Sequence, residues 1–234
     1  MKKRSARGTI TRESVADAAL AIADRDGFDS VTIRAVAAEI GATPMALYTY
    51  FPDKDALYEG MRGRVLERVS ATNISRRTWQ SVLEGVARGV HRVMGEHPHW
   101  TPLLAHDSGL PPSGLAFIDG LWAVMLKEGF AIEDVLRAYG SVMSFAIGSV
   151  LFERIMMGTE GDVIAKRLAL LKELVGRAPG QYGSLATVAA KVDRWRWDDV
   201  FELGIRSLLA GIETQCAPSA RHARRRPRTH RVRS

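Results

Sequence analysis

The residues with the clearest chemical purpose sit around a short segment, Thr43-Pro44-Met45-Ala46-Leu47-Tyr48-Thr49-Tyr50-Phe51. At helical spacing Leu47 and Phe51, four apart, turn toward a core, and Thr43, Pro44, Ala46, Thr49 and Tyr50 remain on the outer side. Small and polar groups on the outside of a short helix let its backbone come close to a partner, which suits a reader of the DNA major groove. Catalysis is not expected. There is no phosphate loop, no nucleophile elbow and no pair of carboxylates in a plausible cleft, and the adjacent His106 and Asp107 rarely would face one site.

The elements that position this segment are legible around it. Thr32 can cap a helix whose Ile33, Val36, Ala37 and Ile40 share one face. Gly41 offers a left-handed position that ends the helix, Thr43 caps the next one, and Pro44 takes its first position, where the missing N–H costs nothing. An earlier helix starts near Thr11, with the stripe Val15, Ala18, Ala19, Ile22 and Ala23, and ends at Asp26-Gly27. Phe28 and Val31 are expected to plug the gap that follows, and Tyr48 to pack in the core. Pro52-Asp53 then breaks the chain and caps a long fourth helix with Leu57, Met61, Val65 and Val69 on its apolar face.

The run T-I-R-A-V-A-A-E-I-G-A-T-P-M-A-L-Y-T-Y-F-P-D-K-D-A-L closely resembles the N-terminal domain of TetR-type transcriptional regulators, whose pattern T-x-R-x-[IV]-A-x-x-x-G-[VA]-x-x-x-x-[LI]-Y-x-[YH]-F-x-x-K-x-x-L it matches at nearly every fixed position. The resemblance implies DNA contacts: Arg34 at a position that can pair bidentately with guanine, Tyr50 and Lys54 at phosphate-contacting positions, and Thr43, Pro44, Ala46 and Thr49 on the recognition face. Thr32 can also donate to a phosphate from its helix start. Because most of these are short, thymine methyl contacts and backbone approach carry more of the reading than long hydrogen-bonding arms. Ile33 departs from the tetracycline repressor, which has a threonine there.

From Arg76 to Cys216 the pattern is helical throughout, so the fold class is all-α: a three-helix DNA-binding domain followed by a larger ligand-binding and dimerisation domain. The expected boundaries are a basic arm at 1–10, the helix-turn-helix domain at 11–52, a connecting helix at 53–70, the helical domain at 71–216 and a disordered basic tail at 217–234. Helices are expected through Trp79 to Val93, Leu115 to Met125, Ile132 to Met157, Asp162 to Val175 and Asp198 to Thr214, with a loop at 107–114 and another at 176–183. The helix at 132–157 is apolar nearly all round and should be buried on both sides. Its Gly140, Ser144 and Gly148, together with Gly204, Leu208 and Gly211 of the last helix, form small-residue faces through which two copies would pair as a four-helix bundle. Both helices resemble those of the tetracycline-repressor type of C-terminal domain.

Trp79, His97, Trp100, Leu103, His106, Phe117, Trp122, Met125, Met143 and Phe145 are the candidate lining of a pocket for a flat hydrophobic or aromatic effector, each of them also a candidate for plain core. No cofactor or metal is expected. The histidines match no compact zinc spacing. His106 lies near the magnesium-binding histidine of the tetracycline repressor, but Phe152 stands where the matching glutamate belongs, with Glu153 beside it. Tetracycline is therefore not the expected effector.

Composition agrees with a folded chain, 46% hydrophobic. The net charge of +7 belongs to the tail, since residues 217–234 hold seven arginines and no acid. Lys2, Lys3, Arg4, Arg7 and Arg12 precede the first carboxylate and can neutralise phosphates. No apolar run approaches the ~20 residues of a membrane span, and Cys216 has no internal partner, so a cytoplasmic, reducing location is expected. The expected partners are double-stranded operator DNA, a small-molecule effector and a second copy of the chain. The sum is a homodimeric repressor of a palindromic operator released by its effector; the alternative is an effector-independent architectural DNA-binding protein.

Overall fold

The computed structural model describes residues 10–70, 78–105, 111–157, 163–177, 180–191 and 196–216. Eleven α-helices and two 3-10 turns are found among the described residues, with no strand. They form two compact units, one reaching to Val124 and the other beginning at Met125.

In the first unit α1 (Arg12–Asp26) opens on a capping box: the Ser14 N–H donates to the Thr11 hydroxyl at 3.1 Å and the Thr11 N–H to the Ser14 hydroxyl at 2.9 Å. Its buried face holds Val15, Ala16, Ala19, Leu20, Ile22 and Ala23. Gly27 turns the chain into a 3-10 turn at Phe28–Ser30, where Val31 is fully buried and Phe28 stacks on Tyr58 with ring centroids 4.8 Å apart. Helix α2 (Ile33–Ile40) is capped by Thr32, and α3 (Pro44–Tyr48) by Thr43. Gly41 between them is left-handed at φ 69°, a conformation that costs other residues about 1–2 kcal/mol. Asp53 caps α4 (Lys54–Val69), which buries Leu57, Met61, Val65 and Val69 as its periodicity requires.

Helix α5 (Trp79–Glu96) lies against α4, and the approach is close enough that a Cβ on Gly89 would meet the Val69 carbonyl oxygen at 2.6 Å. A 3-10 turn at Pro98–Trp100 and the short α6 (Pro102–Ala105) follow. Helix α7 (Pro112–Lys127) begins inside the stretch expected to be loop, because Pro112 is well placed at a helix start.

In the second unit α8 (Ile132–Met157) and α11 (Trp197–Gln215) form the principal pair, and α9 (Val163–Arg177) packs on α10 (Gly183–Ala189). Helix α10 was not expected: it is seven residues long, lacks a side-chain cap and begins on a glycine, so little in its sequence announces it. Helix α8 corrects one expectation. Residues 132–156 do have the length and mean hydropathy, 1.5, of a membrane-crossing segment. Among the described residues its buried positions lie along one side, at Val135, Ala138, Val142, Ala146 and Val150, and Leu136, Leu151, Phe152 and Ile155 are exposed.

Candidate nucleic-acid interface

The short α3 is held from behind and offers its other side to solvent. Leu47 and Phe51 are fully buried. Phe51 rests on Gly60 of α4, where a Cβ would lie 2.5 Å from its ring, and the Arg12 guanidinium sits 4.5 Å from the same ring. Arg12 also donates to the Tyr50 carbonyl at 2.5 Å, so α1, α3 and α4 meet around one phenylalanine. Arg64 of α4 grips Asp17 of α1 through two hydrogen bonds of 3.0 and 2.9 Å. Arg25 at the end of α1 reaches both oxygens of Glu39 in α2, at 3.2 and 3.0 Å.

The residues assigned to DNA fall on this supported surface with different freedoms. Thr32, Arg34, Thr43, Pro44, Thr49 and Lys54 are exposed, and Ala46 is half-buried. The Thr32 and Thr43 oxygens accept cap hydrogen bonds from Ala35 and Ala46, at 3.1 and 3.3 Å, which leaves each hydroxyl hydrogen to donate. The Thr49 hydroxyl donates to the Ala46 carbonyl at 2.6 Å and presents chiefly its methyl. Tyr50 is half-buried and its hydroxyl donates to the Ile10 carbonyl at 3.0 Å, so its hydrogen points at the chain's own backbone. Lys54 stands over the Tyr58 ring, 5.2 Å from its centroid.

Two residues of α3, Met45 and Tyr48, are not among those assigned to DNA. Met45 is 76% exposed and Tyr48 47%. Tyr48 does not pack in the core as expected: Leu47 and Phe51 take the two inward positions of so short a helix, and Tyr48 is turned about 100° from Leu47. Counting that rotation from Leu47 would have found both.

The ten candidate effector residues differ in burial. Trp79, Trp100, Leu103 and Met125 are buried as core, and His97, Phe117, Trp122, Met143 and Phe145 are half-buried. His106 lies outside the described residues. His97 and Trp100 stack on each other, and Phe145 stacks on Phe201 at 5.5 Å. A cavity of about 300 Å³ does open between α1, α4 and the start of α7, bordered by Arg12, Phe51, Gly60, Arg64 and Pro111, but none of the ten lines it. Among the described residues no three metal-ligating side chains cluster. Of the small residues assigned to an interface, Gly140, Gly148 and Gly211 have open space where a Cβ would be, Ser144 is exposed and Leu208 is half-buried. Gly204 instead faces Phe145 of its own chain, whose ring fills the Cβ position.

Two family models match the two halves of the chain. The family described as "Bacterial regulatory proteins, tetR family" matches residues 15–61, and "Tetracyclin repressor-like, C-terminal domain" matches residues 74–216. The chain belongs to the TetR family. TetR-family membership makes it a helix-turn-helix transcriptional regulator and not an enzyme. The HTH-type transcriptional repressor DrrR1 of Streptomyces coeruleorubidus is 29% identical over 231 residues, covering 92% of this chain and 83% of its own. In fold the chain is similar to the Streptomyces coelicolor TetR family protein ActR in complex with actinorhodin, with a TM-score of 0.70, 21% identity and coverage of 88% and 98%. It is similar also to a TetR variant from Acinetobacter baumannii in complex with minocycline, with a TM-score of 0.61, 22% identity and coverage of 88% and 98%.

Proposed function

We propose that this TetR-family regulator is a homodimeric repressor that binds a near-palindromic operator and lets go when a small hydrophobic or aromatic effector enters its C-terminal domain. The observation that carries the reading is the braced α2–turn–α3 unit, with Arg34, Met45, Tyr48 and the two capping threonines turned to solvent. Exposed Met45 and Tyr48 add apolar and aromatic reach to a face of otherwise short side chains, which favours thymine methyl groups. Dimerisation is supported by α8, where Leu136, Gly140, Ser144, Gly148 and Phe152 recur every four residues on the solvent side. An apolar stripe with small residues at its middle lets a second copy approach closely, and a two-fold dimer sets two recognition helices roughly 34–36 Å apart. In this reading α4 connects a DNA-reading domain, 11–52, to a regulatory domain, 71–216, in the cytoplasm.

Release is a population shift: an effector that binds better to the arrangement with the wrong helix spacing draws the dimer from DNA. ActR and the Acinetobacter baumannii TetR are known bound to actinorhodin and minocycline, which supports a small organic effector here. The experiment is protection of the DNA flanking the protein's own gene, titrated with pure protein and repeated with a panel of flat hydrophobic compounds. A short protected palindrome released by one compound is the expected result. Diffuse protection, untouched by every compound and abolished at moderate salt, would replace this reading with loose attachment through the basic arm and tail.

A further inference from the structure

One face of α1 carries Asp17, Leu20 and Asp24, spaced so that they lie in line along the helix, and each is held by a different group of the first unit. Asp17 takes the bidentate Arg64 and, at 3.7 Å, Arg68 of the last turn of α4. The Leu20 carbonyl accepts the indole N–H of Trp100 at 3.2 Å. Asp24 accepts the Nδ1–H of His97 at 2.8 Å, since a carboxylate oxygen can only accept, which also fixes the ring's tautomer. His97 and Trp100 stack with centroids 3.7 Å apart and planes within 4°. The Arg68 guanidinium lies over the Trp100 ring at 4.8 Å, and its carbonyl takes a hydrogen bond from Arg92 of α5 at 3.1 Å. Trp100 is only 1% exposed, so these groups enclose it.

We propose that Trp100, with His97 and Arg68 on its ring, is a positioning residue that locks the chain after α5 to α1 and thereby fixes where α2 and α3 stand when they meet DNA. Two of the ten candidate effector residues, His97 and Trp100, serve the DNA-reading side. Arg68 is the shared rung: it touches Asp17, the Trp100 ring and, through its backbone, α5. Tilting α1 against the turn at residues 98–100 strains the Leu20 and Asp24 hydrogen bonds together, so the Trp100 ring registers the arrangement of α1. Because α1 packs on α2, that arrangement reaches the recognition helix. The inference needs DNA binding alone and stands whether or not an effector exists.

The test uses the full chain labelled with 5-fluorotryptophan and a duplex of the region upstream of its own gene at low salt. The Trp100 fluorine line is identified by its loss in Trp100→Phe. Saturating duplex is expected to shift that line in the unsubstituted protein, and by less than half as much in His97→Phe, which keeps a stacked ring but has no Nδ1. Duplex binding should weaken at least threefold in the same variant, with helix content unchanged. Arg68→Lys, conservative and partly exposed, is the second variant should His97→Phe fold poorly, and is expected to lose the same shift. A Trp100 line that ignores saturating duplex, or moves equally in the variants, overturns the proposal.

Discussion

At the scale of single residues, the recognition surface depends on which side chains are spent on the chain itself. Tyr50 has the family's tyrosine or histidine position, yet its hydroxyl is engaged with Ile10, and Thr49 with Ala46. Met45, with no partner to satisfy, has its whole thioether free to lie against a base. Met45→Ala is expected to weaken binding to the protected site about threefold, less than the roughly 1–3 kcal/mol of a bidentate base contact because a thioether makes only apolar contact, and to leave the melting temperature unchanged because the residue is exposed. Equal affinity of the two proteins for that site would remove Met45 from the reading face. Arg64 makes the opposite case, a charge used for support. Arg64→Ala should lower stability by about 1 kcal/mol, a modest figure because its side chain and that of Asp17 are 29% and 38% exposed, and the difference should shrink in high salt. Thermal melts at two ionic strengths decide it.

Elements are set by how near they can approach one another. Helix α4 is met near its middle by the Phe51 ring, which occupies the space above Gly60, and at its end by α5, whose Gly89 admits the Val69 carbonyl. A methyl at either place is overpacked, at a cost of about 1–3 kcal/mol. The two sites differ in what must yield. Gly60→Ala pushes a buried ring at the end of α3, so DNA affinity should fall along with stability. Gly89→Ala meets a backbone atom that cannot rotate aside, so α4 and α5 must separate, and the larger loss of melting temperature is expected there. Melting curves and duplex titrations of both variants would show whether the two losses divide in this way.

For the whole molecule, the side of α8 left uncovered within one chain is the largest question its shape raises. Ser144 is exposed and stands between Gly140 and Gly148, where nothing fills the Cβ space. Ser144→Glu should therefore leave the isolated chain folded. At an interface between copies the same carboxylate is buried without a partner, and sedimentation should show a monomer with helix content intact. If sedimentation gives one species of the same mass with and without the substitution, the pairing of α8 across copies is wrong. The basic tail makes a prediction of its own: removing residues 217–234 should flatten the salt dependence of binding to random duplex.

Much of this was written in the sequence because it depends on neighbours. A helix start near Thr11, threonine caps at Thr32 and Thr43, the left-handed Gly41, Pro44 at a helix start and the four-residue spacing of Leu47 and Phe51 are local rules, and α1 to α4 follow them nearly to the residue. Family membership was legible for the same reason, since its pattern is a contiguous run. What the sequence alone left open was which face of each element meets which partner. An apolar α8 did not reveal which of its residues its own chain covers, nor did glycine at 204 announce the Phe145 ring that fills its place. His97 and Trp100 have the composition of a ligand pocket, and only the return of the chain to α1, more than seventy residues back, turns them into its support. Spacing along a chain fixes local geometry; burial and pairing between distant residues are decided by the packing that brings them together.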